Sequence, residues 1–313
     1  MRVIQPAALE RHATIGIISP SSPQRDGARL DRGVRYLESL GYTVKLARHA
    51  LASHGGYLAG TDAQRVDDLH EMFLDPQVSA IFCARGGYGC ARLLPLVDFS
   101  IIRRNPKIFV GFSDVTVLQL AIFRRTGLIT FSGAMPSVDM ADGFHSQSEE
   151  QFWRILTSRR PMGALKQPWP LEIIRRGEAR GRLLGGNLSV IMSLMGTPYL
   201  PTFKDAVLAL EDVGEATYRI DRMLVHLAQA TRSQQAAGTI YGSWSQPDPS
   251  TISTPNRDVR EVLHERTDVA AGPIISGLMY GHQAEKFTLP IGAEVVLRSA
   301  RGGSLSLVEA AVR

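Results

Sequence analysis

Ser113, in Val110-Gly111-Phe112-Ser113-Asp114-Val115-Thr116, has the neighbours that covalent chemistry needs. An apolar run ends there and an amphipathic stretch begins. A small polar residue at such a strand-to-helix turn holds its hydroxyl clear of the backbone, beside the amides of the next turn, which suits a nucleophile whose attack creates an oxyanion. The same position also suits a plain helix cap, since Ser and Asp accept hydrogen bonds from the first free amides of a helix. The text reads Gly-x-Ser-Asp and departs from the Gly-x-Ser-x-Gly of ordinary α/β-hydrolases.

A nucleophilic serine requires a base, and the base requires an acceptor to orient it. Of eight histidines, His282 follows the apolar run Pro273 to Leu278 in Gly281-His282-Gln283, so a glycine turn at a strand end presents its imidazole. His12, His49, His54, His70, His145 and His264 lie in polar, surface-like contexts, and His226 reads as a half-buried packing residue. For the acid, Glu211 closes Val207-Leu208-Ala209-Leu210; a strand-end carboxylate in so apolar a setting needs a partner such as an imidazole N–H. Its rivals Asp212 and Glu215 read as solvated loop acids. The turn Arg85-Gly86-Gly87-Tyr88-Gly89 also follows an apolar run. It could cradle a phosphate, but it lacks Gly-x-Gly-x-x-Gly spacing and a Gly-Lys-Ser/Thr ending. Its other use is a backbone amide aimed at an oxyanion, with Arg85 free to pair a substrate carboxylate.

The elements that must carry these residues alternate in the first half. Strands are expected at Ile15 to Ile18, Tyr42 to Ala47, Val78 to Ala84, Lys107 to Phe112 and Leu128 to Phe131. Between them come helices with Leu30, Val34 and Leu37 on one face, then Val66, Leu69 and Phe73 behind a Thr61 or Asp62 cap, then Val115 to Arg125. Apolar runs separated by amphipathic stretches predict a parallel sheet covered by helices. Around Arg159 to Pro170 the composition turns to Arg, Pro, Gly and Lys, so a first domain over 1–160, a linker over 161–178 and a second domain over 179–313 are expected. The second half predicts helices at Asn187 to Met195 and Tyr218 to Ala230, among short strands at Ala206 to Leu210, Gly238 to Trp244, Pro273 to Leu278 and Ala293 to Leu297, forming a mixed or barrel-like sheet. Ser245 to Asn256 reads as a long surface loop or lid.

Composition narrows the partners. In 313 residues, 44% are hydrophobic and 21% charged, ordinary globular usage that excludes disorder, collagen and coiled-coil rods. No apolar stretch reaches the roughly 18 residues of a membrane span. The net charge of +5 is scattered in arginine pairs, so no nucleic-acid partner is expected. Two cysteines, Cys83 and Cys90, fit a reducing compartment, and no Cys or His pair stands at metal-ligand spacing. Met1 to Thr14 has no apolar export-signal core, and a cytoplasmic location follows as the expectation.

Ala84-Arg85-Gly86-Gly87-Tyr88-Gly89, Gly111-Phe112-Ser113-Asp114, Thr130-Phe131-Ser132-Gly133, Gly185-Gly186-Asn187-Leu188, Leu210-Glu211-Asp212 with Tyr218 to Leu224, and Gly281-His282 together resemble the LD-carboxypeptidases of murein recycling, a family shared with the microcin C immunity peptidases. The resemblance runs from about Ile15 to Leu297. It implies an α/β fold: an N-terminal Rossmann-like parallel-sheet domain related to the class I glutamine amidotransferases, then a C-terminal mixed barrel-like domain, usually as a homodimer with the active site between the domains. It implies a serine peptidase that removes the terminal D-alanine of a murein tetrapeptide, with Ser113 as nucleophile, His282 as general base and Glu211 as its orienting acid. The amides of Gly87 and Asp114 would form the oxyanion hole, with Arg85, Gly86 and Asn187 as substrate-binding residues and no cofactor or metal. Three alternatives stay open: cleavage of a microcin C-type aminoacyl-nucleotide, with Trp244 or Tyr88 as the aromatic over the substrate; a non-catalytic two-lobed peptide-binding protein; and nucleotide binding at the glycine-rich turn.

Overall fold

The computed structural model describes residues 2–230, 236–245, 257–300 and 302–313. The expected loop at Ser245 to Asn256 lies, beyond Ser245, outside them. In chain order the elements are β1 (Thr14–Ile18), α1 (Gly27–Ser39), β2 (Thr43–Leu46), α2 (Asp62–Leu74), β3 (Val78–Cys83), α3 (Phe99–Arg104), β4 (Ile108–Gly111), α4 (Thr116–Thr126), β5 (Thr130–Ser132) and α5 (Ser146–Thr157). They continue with β6 (Gly163–Ala164), β7 (Glu172–Arg175), β8 (Glu178–Asn187), α6 (Leu188–Met192), β9 (Val207–Val213), α7 (Thr217–Ala230), β10 (Gly238–Ser245), α8 (Val259–Glu265), β11 (Ile274–Ser276), β12 (Leu289–Ile291), β13 (Glu294–Arg298) and β14 (Ser304–Leu307).

The chain divides into two compact units. The first contains Met1–Arg159, Phe287–Gly292 and Ala310–Arg313. Its six-stranded sheet has the order β12-β5-β4-β3-β1-β2, parallel throughout except for β12, which runs antiparallel to β5. Both faces of the inner strands are covered, and Ile15, Ile17, Phe82, Phe109 and Val110 are wholly buried, so these strands read as unbroken apolar runs. From β1 the chain goes outward to β2 and then returns to β3 on the other side. The loops after β1 and β3 therefore diverge, leaving a crevice at the carboxyl ends of the strands, where open α/β sheets bind ligands. Caps fix the helices that follow: Thr61 and Gln64 form a reciprocal capping box on α2, and Gly127 closes α4 in the left-handed conformation.

The second unit contains Arg160–Lys286 and Ala293–Glu309. Its eight-stranded mixed sheet has the order β6-β14-β13-β8-β9-β10-β11-β7. Strands β8, β9, β10 and β11 are parallel neighbours, while β13, β14, β6 and β7 pair antiparallel.

Two boundaries differ from expectation. The stretch 161–178 is not a free linker: it carries β6 and β7, the two edge strands of the second sheet. Edge strands are short and tolerate the Pro- and Arg-rich text that hides them. Nor is 179–313 one continuous domain, because Phe287–Gly292 and Ala310–Arg313 belong to the first unit. Strand β12 pairs with β5, and the Gln151 side chain locks it there, donating from Nε2 to the Thr288 carbonyl at 2.9 Å and accepting from the Thr288 amide at 2.7 Å. The carboxyl end is held by backbone bonds between Arg313 and both Pro6 and Ala8.

Candidate active site

Strand β4 ends at Gly111, Phe112 is extended, and Ser113 turns into the left-handed region at φ 64° before a single 3-10 turn over Ser113–Val115 leads into α4. A non-glycine residue rarely adopts that conformation, and a residue held in it sits at the apex of a sharp strand-to-helix turn. The N-cap positions of this turn and of α4 fall to Phe112 and Val115, neither of which makes a side-chain cap bond. Against this elbow lies Gly86. A Cβ at Gly86 would stand 2.9 Å from Cβ of Ser113 and 3.3 Å from its Oγ, so only glycine lets the backbone after β3 approach the hydroxyl this closely. Gly87 follows, its backbone running past the side chain of Ser22. Asp114 is buried, and its Oδ2 accepts hydrogen bonds from Ser21 Oγ at 2.7 Å and from the Cys90 amide at 2.9 Å. Arg85 is half-buried, donates to the carbonyls of Gly86 and Pro23, and meets no carboxylate among the described residues. Burial, then the neighbouring Arg25 and Arg29 cations, lower its pKa, so an anion there would be stabilising. Ser113, Gly86, Gly87, Asp114 and Arg85 thus cluster at the carboxyl ends of β3 and β4.

In the second unit Glu211, near the end of β9, is wholly buried, and its Oε2 lies 2.7 Å from Nδ1 of His282. A carboxylate can only accept, so Nδ1 carries the proton and Nε2 is the basic nitrogen. Gly281 makes the approach possible: its φ is +127°, and a Cβ there would stand 2.1 Å from Ser243 Oγ and 3.2 Å from Oε2 of Glu211. Other imidazoles also meet carboxylates, but with different company. Asp68 binds the His49 backbone amide as well as its ring, and Glu172 shares His264 with Arg260. At His282 the acid is wholly buried and binds the ring alone, whereas Asp68 divides itself between the His49 ring and the His49 backbone amide. His226 is exposed on α7, where the sequence predicted a half-buried packing residue.

Asn187 lies beside Glu211 on the neighbouring strand, but its side chain is committed to the protein. Its Oδ1 caps α6 by accepting from the Val190 amide and from Ser189 Oγ, and its Nδ2 donates to Asp212 at 3.0 Å. Asp212 is not a solvated loop acid. It is 1% exposed, accepts from the Ser189 and Val213 amides, and is pushed up to about 6 by burial, with the adjacent Glu211 charge adding to the shift. Reading Glu211-Asp212 as a strand end that becomes polar missed this, although Asn187-x-Ser189, with its capping pattern, was the available signal. Glu215 is half-exposed and pairs with Arg219 at 3.5 Å, as a loop acid would.

Sequence comparison now bears on these two clusters. The model of the LD-carboxypeptidase N-terminal domain matches residues 15–133, and that of the LD-carboxypeptidase C-terminal domain matches residues 180–297. The chain is 38% identical to a probable murein peptide carboxypeptidase of Bacillus subtilis, covering 98% of this chain and 95% of that one. It is 30% identical to the murein tetrapeptide carboxypeptidase of Pseudomonas aeruginosa, over 92% of this chain and 94% of that one. Among solved structures, an MccF-like protein from Bacillus anthracis superposes with a TM-score of 0.88 at 30% identity, covering 98% and 100% of the two chains. The muramoyltetrapeptide carboxypeptidase of Oxalobacter formigenes gives 0.80 at 28% identity, covering 94% and 98%. With an elbow serine in the part matching one domain model and a Glu–His pair in the part matching the other, the chain belongs to the LD-carboxypeptidase family.

Proposed function

We propose that this protein is a serine LD-carboxypeptidase that releases the terminal D-alanine from murein tetrapeptide, cutting the bond after the L-centre of the diamino acid. The observation that carries the reading is the buried Glu211 carboxylate 2.7 Å from Nδ1 of His282, because it leaves Nε2 as a base with its tautomer already set. In the reaction Nε2 takes the proton of Ser113 Oγ, and Oγ attacks the carbonyl that precedes D-alanine. The negative charge passes to the carbonyl oxygen, where the amides of Gly87 and Asp114 receive it. Collapse expels the alanine amine, which takes the proton from His282; water, activated by the same imidazole, then hydrolyses the acyl-enzyme. Arg85 anchors the alanine carboxylate, a role supported by its lack of an acidic partner and by the crowding of Arg25 and Arg29. Both cysteines are free and buried, which fits action in the cytoplasm, and the homodimer rests on the family resemblance.

The test is mass spectrometry of a murein tetrapeptide incubated with the protein. Loss of one alanine is expected from the wild type, and a fall of at least about a thousandfold from Ser113→Ala. Retention of wild-type turnover by Ser113→Ala would remove the nucleophile and the mechanism with it.

A second reading has its own observation, since the chain is 29% identical to the microcin C7 self-immunity protein MccF of Escherichia coli over 91% of this chain and 90% of that one. Here an aromatic would stack over an aminoacyl-nucleotide. Tyr88 is 52% exposed beside Gly87, whereas Trp244 packs edge-on against Tyr241 with centroids 5.8 Å apart. Competition between tetrapeptide and an aminoacyl sulfamoyl adenosine for one active site separates the two substrates.

A further inference from the structure

Two buried, oppositely charged side chains hold the same pair of loops at the crevice of the first unit. Arg65 projects from α2 and is 1% exposed, and its Nη1 donates to the Pro20 carbonyl at 2.5 Å and to the Gly89 carbonyl at 3.0 Å. Asp114 projects from the elbow and is 5% exposed, and its Oδ2 accepts from Ser21 Oγ and from the Cys90 amide. Pro20 and Ser21 are consecutive in the loop after β1; Gly89 and Cys90 are consecutive in the loop after β3. A cation and an anion therefore bridge adjacent residues of two diverging loops. A third bond joins the two loops directly, the Tyr88 amide donating to Ser22 Oγ at 3.1 Å.

Arg65 also pairs through Nη2 with Asp62 at 2.5 Å, while its Nε finds no partner; burying a guanidinium and a carboxylate is expensive, and an apolar pair would close the same gap with less desolvation. What the charged pair adds is direction: each fixes backbone groups at set angles. The loop so fixed is Gly86-Gly87-Tyr88, which runs between β3 and the Gly89–Cys90 anchor and presses on Ser113. The proposed oxyanion donors are the amides of Gly87 and Asp114. The first lies within that loop, and the second belongs to the residue whose side chain clamps it.

We infer that Asp114, through its side chain, and Arg65 are positioning residues that hold the glycine loop in register with Ser113 so that both oxyanion donors face one point. This rests on the peptidase reading above. Donors fixed in advance matter in the transition state, where charge develops, and little in the ground state.

The test is steady-state alanine release per active site, with sites counted by a serine-directed phosphonate and folding followed by thermal melting. Asp114→Ala and Arg65→Met are expected to lower kcat by roughly 10- to 100-fold with KM within about twofold of wild type. Asp114→Asn keeps one oxygen that can accept both bonds and should recover kcat to within about fivefold. Because both side chains pin the same two loops, the double variant should lose no more than the worse single one. Ser21→Ala removes one bond only and, if Asp114→Ala does not fold, carries the test with an expected severalfold loss of kcat. The inference is overturned if kcat per titrated site is unchanged in Ser21→Ala and in the folded Asp114 and Arg65 variants, or if the losses in the double variant simply multiply. If instead the wild type neither releases alanine nor takes the phosphonate at Ser113, the peptidase reading itself has failed.

Discussion

Ser113 occupies a backbone conformation that costs a non-glycine residue about 1 kcal/mol or more, and such strain persists only where the surroundings over-determine it. Here they are Gly86 on one side and the buried Asp114 contacts on the other. Asp212 is a second residue held against its preference. Burial raises its pKa to about 6 from an ordinary value near 3.9, so the folded protein binds this proton more tightly than the unfolded chain. The protonated form thus stabilises the fold fully below about pH 4, and that contribution is lost as pH rises through about 6. Urea unfolding should show wild type losing up to about 3 kcal/mol over this range relative to Asp212→Asn, which cannot titrate. Parallel pH profiles for the two proteins would contradict it. Neither the strain nor the burial is legible in the sequence: Gly-Phe-Ser-Asp and Leu-Glu-Asp give the residue types, but whether a strand-end acid meets water depends on what packs over it.

At the scale of elements, the elbow is held from below by α4. Gln119 is wholly buried and donates from Nε2 to the Gly111 carbonyl at 3.0 Å and to the Phe131 carbonyl at 2.7 Å, tying the helix to the end of β4 and the middle of β5. Replacing it with Leu leaves the shape and removes both donations, so Gln119→Leu should destabilise by about 1–3 kcal/mol in a denaturant titration. A midpoint equal to wild type would show that neither carbonyl needed it. The parallel strands of the first sheet were readable because each is a buried apolar run followed by an amphipathic helix. Five strands escaped: β6, β7, β12 and β14 are short and lie at sheet edges or beside them, where periodicity has two to four residues in which to appear, while β8 is ten residues long and interior but opens on charged residues and ends in Gly185-Gly186-Asn187, text that reads as loop. The helix expected from Asn187 to Met195 is shorter, Leu188–Met192, with Asn187 as its cap and its amide spent on Asp212.

For the whole molecule, the first unit is assembled from three stretches of chain, and β12 closes one edge of its sheet. A fragment of residues 1–159 would leave the β5 edge open and the Gln151 side chain without its Thr288 partners. Circular dichroism should therefore find no cooperative thermal transition for that fragment and a tendency to aggregate, as unpaired edges do; a sharp melt like that of the intact chain would mean β12 is dispensable. The sequence by itself determined the local settings of the proposed catalytic residues: which serine stands at a strand-to-helix turn, which histidine follows a glycine at a strand end, which acid closes an apolar run, and the α/β alternation that carries the first of them. These are local properties, written in neighbours a few residues apart. Only the tertiary structure decided that residues 287–292 complete a sheet begun at Thr14, that Arg65 and Asp114 grip the same two loops, and that Asn187 serves Asp212. Those pairings join residues tens to hundreds of positions apart, and they exist because buried edges and buried charges must find partners wherever the fold brings one within hydrogen-bonding distance.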